Sequence, residues 1–159
     1  MPAKKKKPGE TPTVENRKAR FNYAISDTLE VGIVLRGTEV KSVRSGRVSI
    51  AEGYVRVESD PPALYLHSAD IGDYGPAGPT QHAPKRMRKL LAHKREILKL
   101  ARAVDQKGVT IVPLKLYFKG GYAKLLIGVG RGKAAHDKRE SIKDRDAKRD
   151  IARAMSRRA

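Results

Sequence analysis

No cysteine occurs among the 159 residues. That excludes disulfides, thiolate catalysis and cysteine-ligated zinc together. No stretch approaches the ~18 consecutive apolar residues of a membrane span. The opening, MPAKKKKPGETPT, carries a basic run with no apolar stretch behind it, so it does not read as a secretory signal. A soluble, intracellular protein located in the cytoplasm is expected. Catalytic and metal-binding sets are missing as well. His67, His82, His93 and His136 fall in different segments without metal-ligand spacing. Acidic pairs such as Asp70 and Asp73 border a loop and read as turn formers. The run Gly128 to Lys133 lacks the spacing of a phosphate loop. It reads instead as a glycine-rich strand end where backbones approach closely. No enzyme, no cofactor and no small-molecule substrate are expected.

Acidic blocks are also absent. The formal charge is +18, with net charges of +5 over residues 1–20, +7 over 21–130 and +6 over 131–159. Such a surface attracts polyphosphate throughout, and each neutralised phosphate releases a counterion with a log–log salt slope of roughly −0.7 to −0.9. An anionic membrane is the rival partner. It calls for a basic helix with a bulky apolar face or a lipidation signal, and the tail has only small or isolated apolar residues. Nucleic acid is favoured over membrane.

The chain divides into three parts. Residues 1–15, rich in Lys, Pro and Thr, are expected to be disordered. Residues 16–131 carry the folded domain. In it Phe21, Tyr23 and Ile25 alternate with polar residues as a half-buried strand. Ser26-Asp27-Thr28 is a turn candidate before a second strand, Leu29 to Leu35. Thr38 is placed to cap a short helix, Glu39 to Ser45, that buries Val40 and Val43 and ends at Gly46. Strands are expected at Val48 to Val57 and Ala63 to His67, then a surface loop from Asp73 to Pro84. The periodicity of Met87, Leu90, Leu91, Ile97, Leu98, Ala101 and Val104 predicts a helix beginning at Pro84 and ended by Gly108. Two last strands, Val109 to Phe118 and Tyr122 to Val129, flank the hairpin signal Lys119-Gly120-Gly121. Pro113 marks an edge or a bulge. Six short antiparallel strands with about three helices suit a mainly β, OB-like barrel, which removes exposed edges. An open α+β sheet is the alternative.

Residues 132–159 form the third part. With Arg131 they hold eleven Lys and Arg against five Asp and Glu, too polar for a core and solvated until a polyanion orders them. Asp144/Lys148, Asp146/Arg149 and Asp150/Arg153 have helical spacing. Residues 137–158 as a helix would span roughly 33 Å. Asn16-Arg17-Lys18-Ala19-Arg20-Phe21 mixes cations with an amide and an aromatic ring, a mixture suited to RNA, although Phe21 itself reads as core. Lys85, Arg86, Arg88, Lys89, Lys94 and Arg95 surround an apolar seam as either a solvated face or phosphate contacts. Glu30, an acid in a basic protein, is either an exposed strand residue or an acceptor for a base edge or ribose hydroxyl.

Several stretches together resemble the bacterial SsrA-binding proteins (small protein B, SmpB), the protein partners of transfer-messenger RNA in ribosome rescue. They are Asn16 to Arg20, Glu30 to Leu35, Gly37-Thr38-Glu39-Val40-Lys41-Ser42, Arg86 to Leu91, Gly120 to Gly132, and His136-Asp137-Lys138-Arg139 with the following IKDRDAKRDIARAM. The resemblance covers nearly all of residues 16–155. It implies a six-stranded OB-like barrel with three helices and a tail disordered in free solution and helical on the ribosome. It also implies binding to the tRNA-like domain of transfer-messenger RNA through positions matching Asn16, Glu30 and Leu91. Lys18, Arg20, Lys41, Arg88, Lys89, Lys124, Arg131, Gly132 and Lys133 lie in or beside the matching stretches and are expected to join that surface. His136, Asp137, Lys138 and Arg139 match residues that act in the decoding centre. Lys143, Arg145, Lys148, Arg149 and Arg153 are expected to follow the small-subunit rRNA along the empty mRNA channel. Elongation factor Tu enters as an indirect partner through alanyl-tmRNA. Phe21-Asn22 departs from the His-acidic pair common in the family, and Ala134-Ala135 replaces a position often basic there. A general ribosomal or initiation-type OB protein is the competing reading, against which the paired GTEVKS and HDKR motifs argue.

Overall fold

The computed structural model describes residues 12–157. Nine strands and four helices follow in order: β1 (Val14–Glu15), α1 (Arg17–Asn22), β2 (Tyr23–Ile33), α2 (Gly37–Arg44), β3 (Val48–Ser49), β4 (Tyr54–Ser59), β5 (Pro62–His67), β6 (Asp70–Ile71), β7 (Arg88–Leu91), α3 (Lys94–Val104), β8 (Val109–Lys119), β9 (Tyr122–Gly132) and α4 (Ala135–Arg157). Strands β8, β4, β5, β7, β2 and β9 pair in that order, and β9 returns to β8, which closes a ring of six antiparallel strands. The expected OB-like, mainly β architecture is present in this form. β1 extends β8, and β3 with β6 forms a small separate pair. The ring is filled by aliphatic side chains, among them Leu64, Leu66, Leu90, Ile111, Leu116, Leu125 and Ile127, each at most 2% exposed. Fully burying such a side chain contributes about 1.5–3 kcal/mol. A second cluster lies outside the ring, where Ala19 of α1 covers Val112 and Leu114 of β8.

Several local expectations are corrected. Residues 19–22 belong to a helix, because the Asn16 side chain caps it by accepting from the Ala19 N–H at 3.0 Å. Ser26-Asp27-Thr28 does not turn the chain. β2 runs on for eleven residues, and its register slips between Ile25 and Asp27 as a bulge. The stretch from Val48 to Val57 is split at residues 50–53, so β3 and β4 pair with different partners. No helix starts at Pro84: Arg88 and Leu90 point inward and Lys89 and Leu91 outward, a strand period, and α3 begins only after His93. The short apolar run there satisfied both periods, and pairing with β5 and β2 decided it. In α2, Val43 is buried as expected, but Glu39 and Ser42 are buried beside it rather than Val40. Thr38 does not cap α2; the helix begins at Gly37, and Thr38 Oγ1 instead meets His82 Nδ1 at 2.8 Å.

Other expectations hold. Lys119-Gly120-Gly121 turns the β8–β9 hairpin with φ of +58° and +79° at the two glycines, backbone that favours glycine. Pro113 sits at a register shift in β8. Gly130 meets the close approach expected at the strand end: a Cβ there would lie 2.7 Å from the Ala24 carbonyl oxygen. Of the expected disordered start, residues 1–11 lie outside the described residues, whereas Val14 and Glu15 pair with Leu116 and Lys115. The tail, expected to be unstructured by itself, is a continuous 23-residue helix with no buried residue. No helix among the described residues is long and apolar enough to cross a membrane.

Candidate nucleic-acid interface

Residues directly opposite each other on paired strands share a face of the sheet. Leu91 of β7 lies opposite Gly32 of β2, Gly32 opposite Lys124 of β9, and Lys124 opposite Tyr117 of β8. These four therefore form one row across the outside of the ring. Leu91 is 55% exposed, and its Cβ lies 3.2 Å from where a Cβ on Gly32 would stand. The bare glycine thus lets the leucine lie over the neighbouring strand. Glu30, two residues before Gly32, faces the same side. Its carboxylate accepts a hydrogen bond from the Tyr117 hydroxyl, and Lys119 Nζ lies 3.7 Å away. The Tyr117 hydrogen bond, together with Lys119 and Lys124, holds the Glu30 carboxyl below its ordinary range. Burial and then the Glu30 carboxylate push the Tyr117 hydroxyl up to about 12. The result is a fixed, ionised acceptor between two lysines and beside an exposed leucine. Such a surface can accept a hydrogen bond from a base edge or ribose hydroxyl while its lysines meet phosphates. Lys89, exposed on the same strand as Leu91, continues the surface.

Two expected contact residues are not on any surface. Arg88 has no exposed area; its guanidinium donates to Glu39 and to the carbonyls of Ala69, Arg86 and Pro84. Glu39 is equally buried and also accepts from Arg86 at 2.5 Å and from the Arg36 N–H at 3.0 Å. Burial pushes the Glu39 carboxyl up, but Arg88, Arg86 and the Arg36 N–H outweigh it and hold it below its ordinary range. Arg88 thus fastens β7 to α2 and supports Lys89 and Leu91 from behind. Glu39 was missed as its partner because 49 positions separate the two in sequence. The pairing of GTEVKS with RMRK was the available sign. Asn16 is 3% exposed. Besides capping α1, it donates from Nδ2 to the Ile50 and Pro113 carbonyls at 3.0 and 2.8 Å. Its polar atoms are committed to holding α1, the helix that carries Lys18 and Arg20, on β8.

A second charged surface lies where β9 passes into α4. Lys18 and Arg20 of α1 project beside Lys133, whose N–H donates to the Asn22 carbonyl at 2.8 Å. Together with Arg17, Phe21, Arg145 and Arg149 they line a cleft of about 600 Å³. Phe21 is half-buried rather than core, and the Arg145 guanidinium sits 5.7 Å above its ring. Arg131 donates to Gln106 at 3.2 Å on the other side of the same junction. Lys41 stands apart, on α2, with its ammonium 5.2 Å over the Tyr74 ring.

His136, Asp137, Lys138 and Arg139 occupy the first turns of α4, with the Asp137 charge at the positive helix end. His136 Nε2 lies 3.1 Å from a Glu140 carboxylate oxygen one helical turn on. The pairs Asp144/Lys148, Asp146/Arg149 and Asp150/Arg153 do not close. Lys143, Arg145, Lys148, Arg149 and Arg153 are all exposed.

The comparisons agree over most of the chain. The SmpB protein family model matches residues 13–157. An SsrA-binding protein of Bradyrhizobium sp. strain BTAi1 is 53% identical over 154 residues, 96% of this chain and 97% of its own. One from Staphylococcus aureus strain Newman is 49% identical over 153 residues, 96% and 97% of the two chains. A solved structure described as "tmRNA-SmpB: a journey to the center of the bacterial ribosome" superposes with a TM-score of 0.68 at 46% identity, over 83% of this chain and 95% of that one. A ring of six strands bearing this match from end to end leaves one assignment: the chain belongs to the SmpB family of SsrA-binding proteins.

Proposed function

We propose that this protein binds the tRNA-like domain of transfer-messenger RNA and delivers it to stalled ribosomes, where the nascent peptide is tagged for degradation. The observation that carries this reading is the outward row Leu91–Gly32–Lys124–Tyr117 with Glu30 beside it, in a chain whose relatives are SsrA-binding proteins over nearly their full length. A folded RNA offers phosphates, 2′-hydroxyls and a few unstacked bases, and this face presents lysines, a carboxylate acceptor and an apolar side chain for them. The protein acts by binding and placement, without catalysis, in the cytoplasm where ribosomes work. Elongation factor Tu meets it indirectly, through alanyl-tmRNA.

The tail serves a separate step. The 23 residues of α4 span about 34 Å at 1.5 Å per residue. A solvated helix of mixed charge fits a channel walled by RNA phosphate and emptied of message. Intact mRNA would occupy the same path, a physical basis for selecting stalled ribosomes. His136 to Arg139, in the first turns, then stand at the decoding centre, and Lys143, Arg145, Lys148, Arg149 and Arg153 follow the channel. The test is the RNA that copurifies with the protein from cells. One tmRNA-sized species is expected; ribosomal RNA alone would favour a general ribosomal OB protein instead.

A further inference from the structure

The cleft between α1 and α4 has a composition that the barrel face does not share. Six cations line it: Arg17, Lys18 and Arg20 from α1, Lys133 from the connection, and Arg145 and Arg149 from α4. No carboxylate is among its lining residues. Lys18 is paired with Glu52 on its far side. Among the described residues none of the other five closes an ion pair. Contact between α1 and α4 is slight. It includes Arg145 over the Phe21 ring at 5.7 Å, while Lys133 Nζ reaches Ser141 at 3.3 Å within the tail itself. Two cationic walls thus face each other across open space, with only residues 133–134 linking β9 to α4. Like charges across it repel, and the Arg145–Phe21 contact is the one ring contact set against that repulsion.

We propose that this cleft is a phosphate clamp: successive RNA backbone phosphates enter it, are gripped from α1 and α4 at once, and thereby fix the direction in which the tail helix leaves the barrel. The inference rests on the RNA-binding reading above and adds a regulation to it. Without RNA, repulsion leaves α4 free to swing about Ala134, just beyond the Lys133 N–H bond to the Asn22 carbonyl. With phosphate between the walls, the repulsion becomes attraction on both sides, so bound RNA favours one tail direction by its differential affinity for that arrangement. Arg145 and Arg149 then act first on the bound RNA, before the tail meets any channel.

The cysteine-free chain allows a direct test. Spin labels at Glu58→Cys on β4 and Met155→Cys on α4, both exposed positions, report the barrel-to-tail distance in the full-length protein. The distance distribution is expected to be broad in free protein and to collapse to a narrow peak when transcribed tRNA-like-domain RNA is added. Arg145→Gln with Arg149→Gln should still bind that RNA, with a log–log salt slope less steep by about two, and should leave the distribution broad. A parent distribution unchanged by bound RNA would overturn the clamp, as would a double variant that narrows like the parent or keeps the parent salt slope. Each of those results leaves RNA binding intact, whereas failure of the parent to bind the RNA at all sinks the RNA-binding reading together with the clamp.

Discussion

At the scale of single residues, exposure separates those that can meet a ligand from those that hold them in place. Glu30→Gln keeps the shape of the side chain but removes the charge that Tyr117 and the two lysines orient. Affinity for the tRNA-like RNA should fall by about tenfold, equivalent to about 1.4 kcal/mol, with an unchanged thermal midpoint; filter binding and a melt on the same sample check both. Asn16→Ala behaves differently. Its side chain makes three hydrogen bonds in a buried setting, so stability should drop by about 1–3 kcal/mol. Any weakening of RNA binding should follow that loss; a denaturant titration showing unchanged stability would contradict it. Glu39→Gln strands the buried Arg88 guanidinium and should cost about 3–5 kcal/mol at neutral pH. The Glu39 carboxyl is held below its ordinary value of 4.5 in the folded state. Its contribution is therefore present above about pH 4.5 and lost as pH falls through the lower folded-state range. In an acid titration of stability, the parent should lose part of its advantage over Glu39→Gln below pH 4.5.

At the scale of elements, α4 differs from α1, α2 and α3 in having nothing buried, so its removal should not disturb the ring. Deleting residues 133–159 is expected to leave RNA binding by the barrel in place, with a shallower salt slope, and to abolish peptide tagging on ribosomes stalled on truncated messages. Full tagging by the truncated protein would refute the tail's role. α3, by contrast, buries Ile97 and Leu100 against the barrel, and no such independence is expected of it. The elements also show where periodicity is legible. α3 ends near the expected point but begins at Lys94 rather than Pro84, whereas the β8–β9 hairpin stands close to where the strand patterns and the Gly-Gly turn put it. β7 does not, because four residues, Arg88 to Leu91, are too few to distinguish a period of 2 from one of 3.6. The turn composition of Ser26-Asp27-Thr28 predicts two strands where β2 is one. In the structure, β9 pairs across that point and absorbs the irregularity as a bulge.

For the whole molecule, charge is the governing quantity. With +18 spread over all three parts, binding of the tRNA-like RNA should weaken steeply with salt. A log–log slope corresponding to several phosphate contacts, at roughly −0.7 to −0.9 each, is the expected result of an affinity series between low and physiological salt. A flat dependence would contradict a phosphate-led interface.

What the amino-acid order determined unaided was the mainly β, OB-like class, a basic charge suited to polyanions and, through its motifs, the family. These follow from local periodicity, composition and contiguous stretches, all of which are properties of short segments. Which residues of the motifs face outward was decided only by tertiary structure. Leu90 and Leu91 are adjacent and chemically identical, yet pairing with β2 and β5 puts one at 2% and the other at 55% exposure. Arg88 and Lys89 are adjacent cations, yet Glu39, 49 positions away, draws one into the core and leaves the other exposed. Burial is set by partners distant in sequence, and no local pattern encodes which partner a side chain will meet.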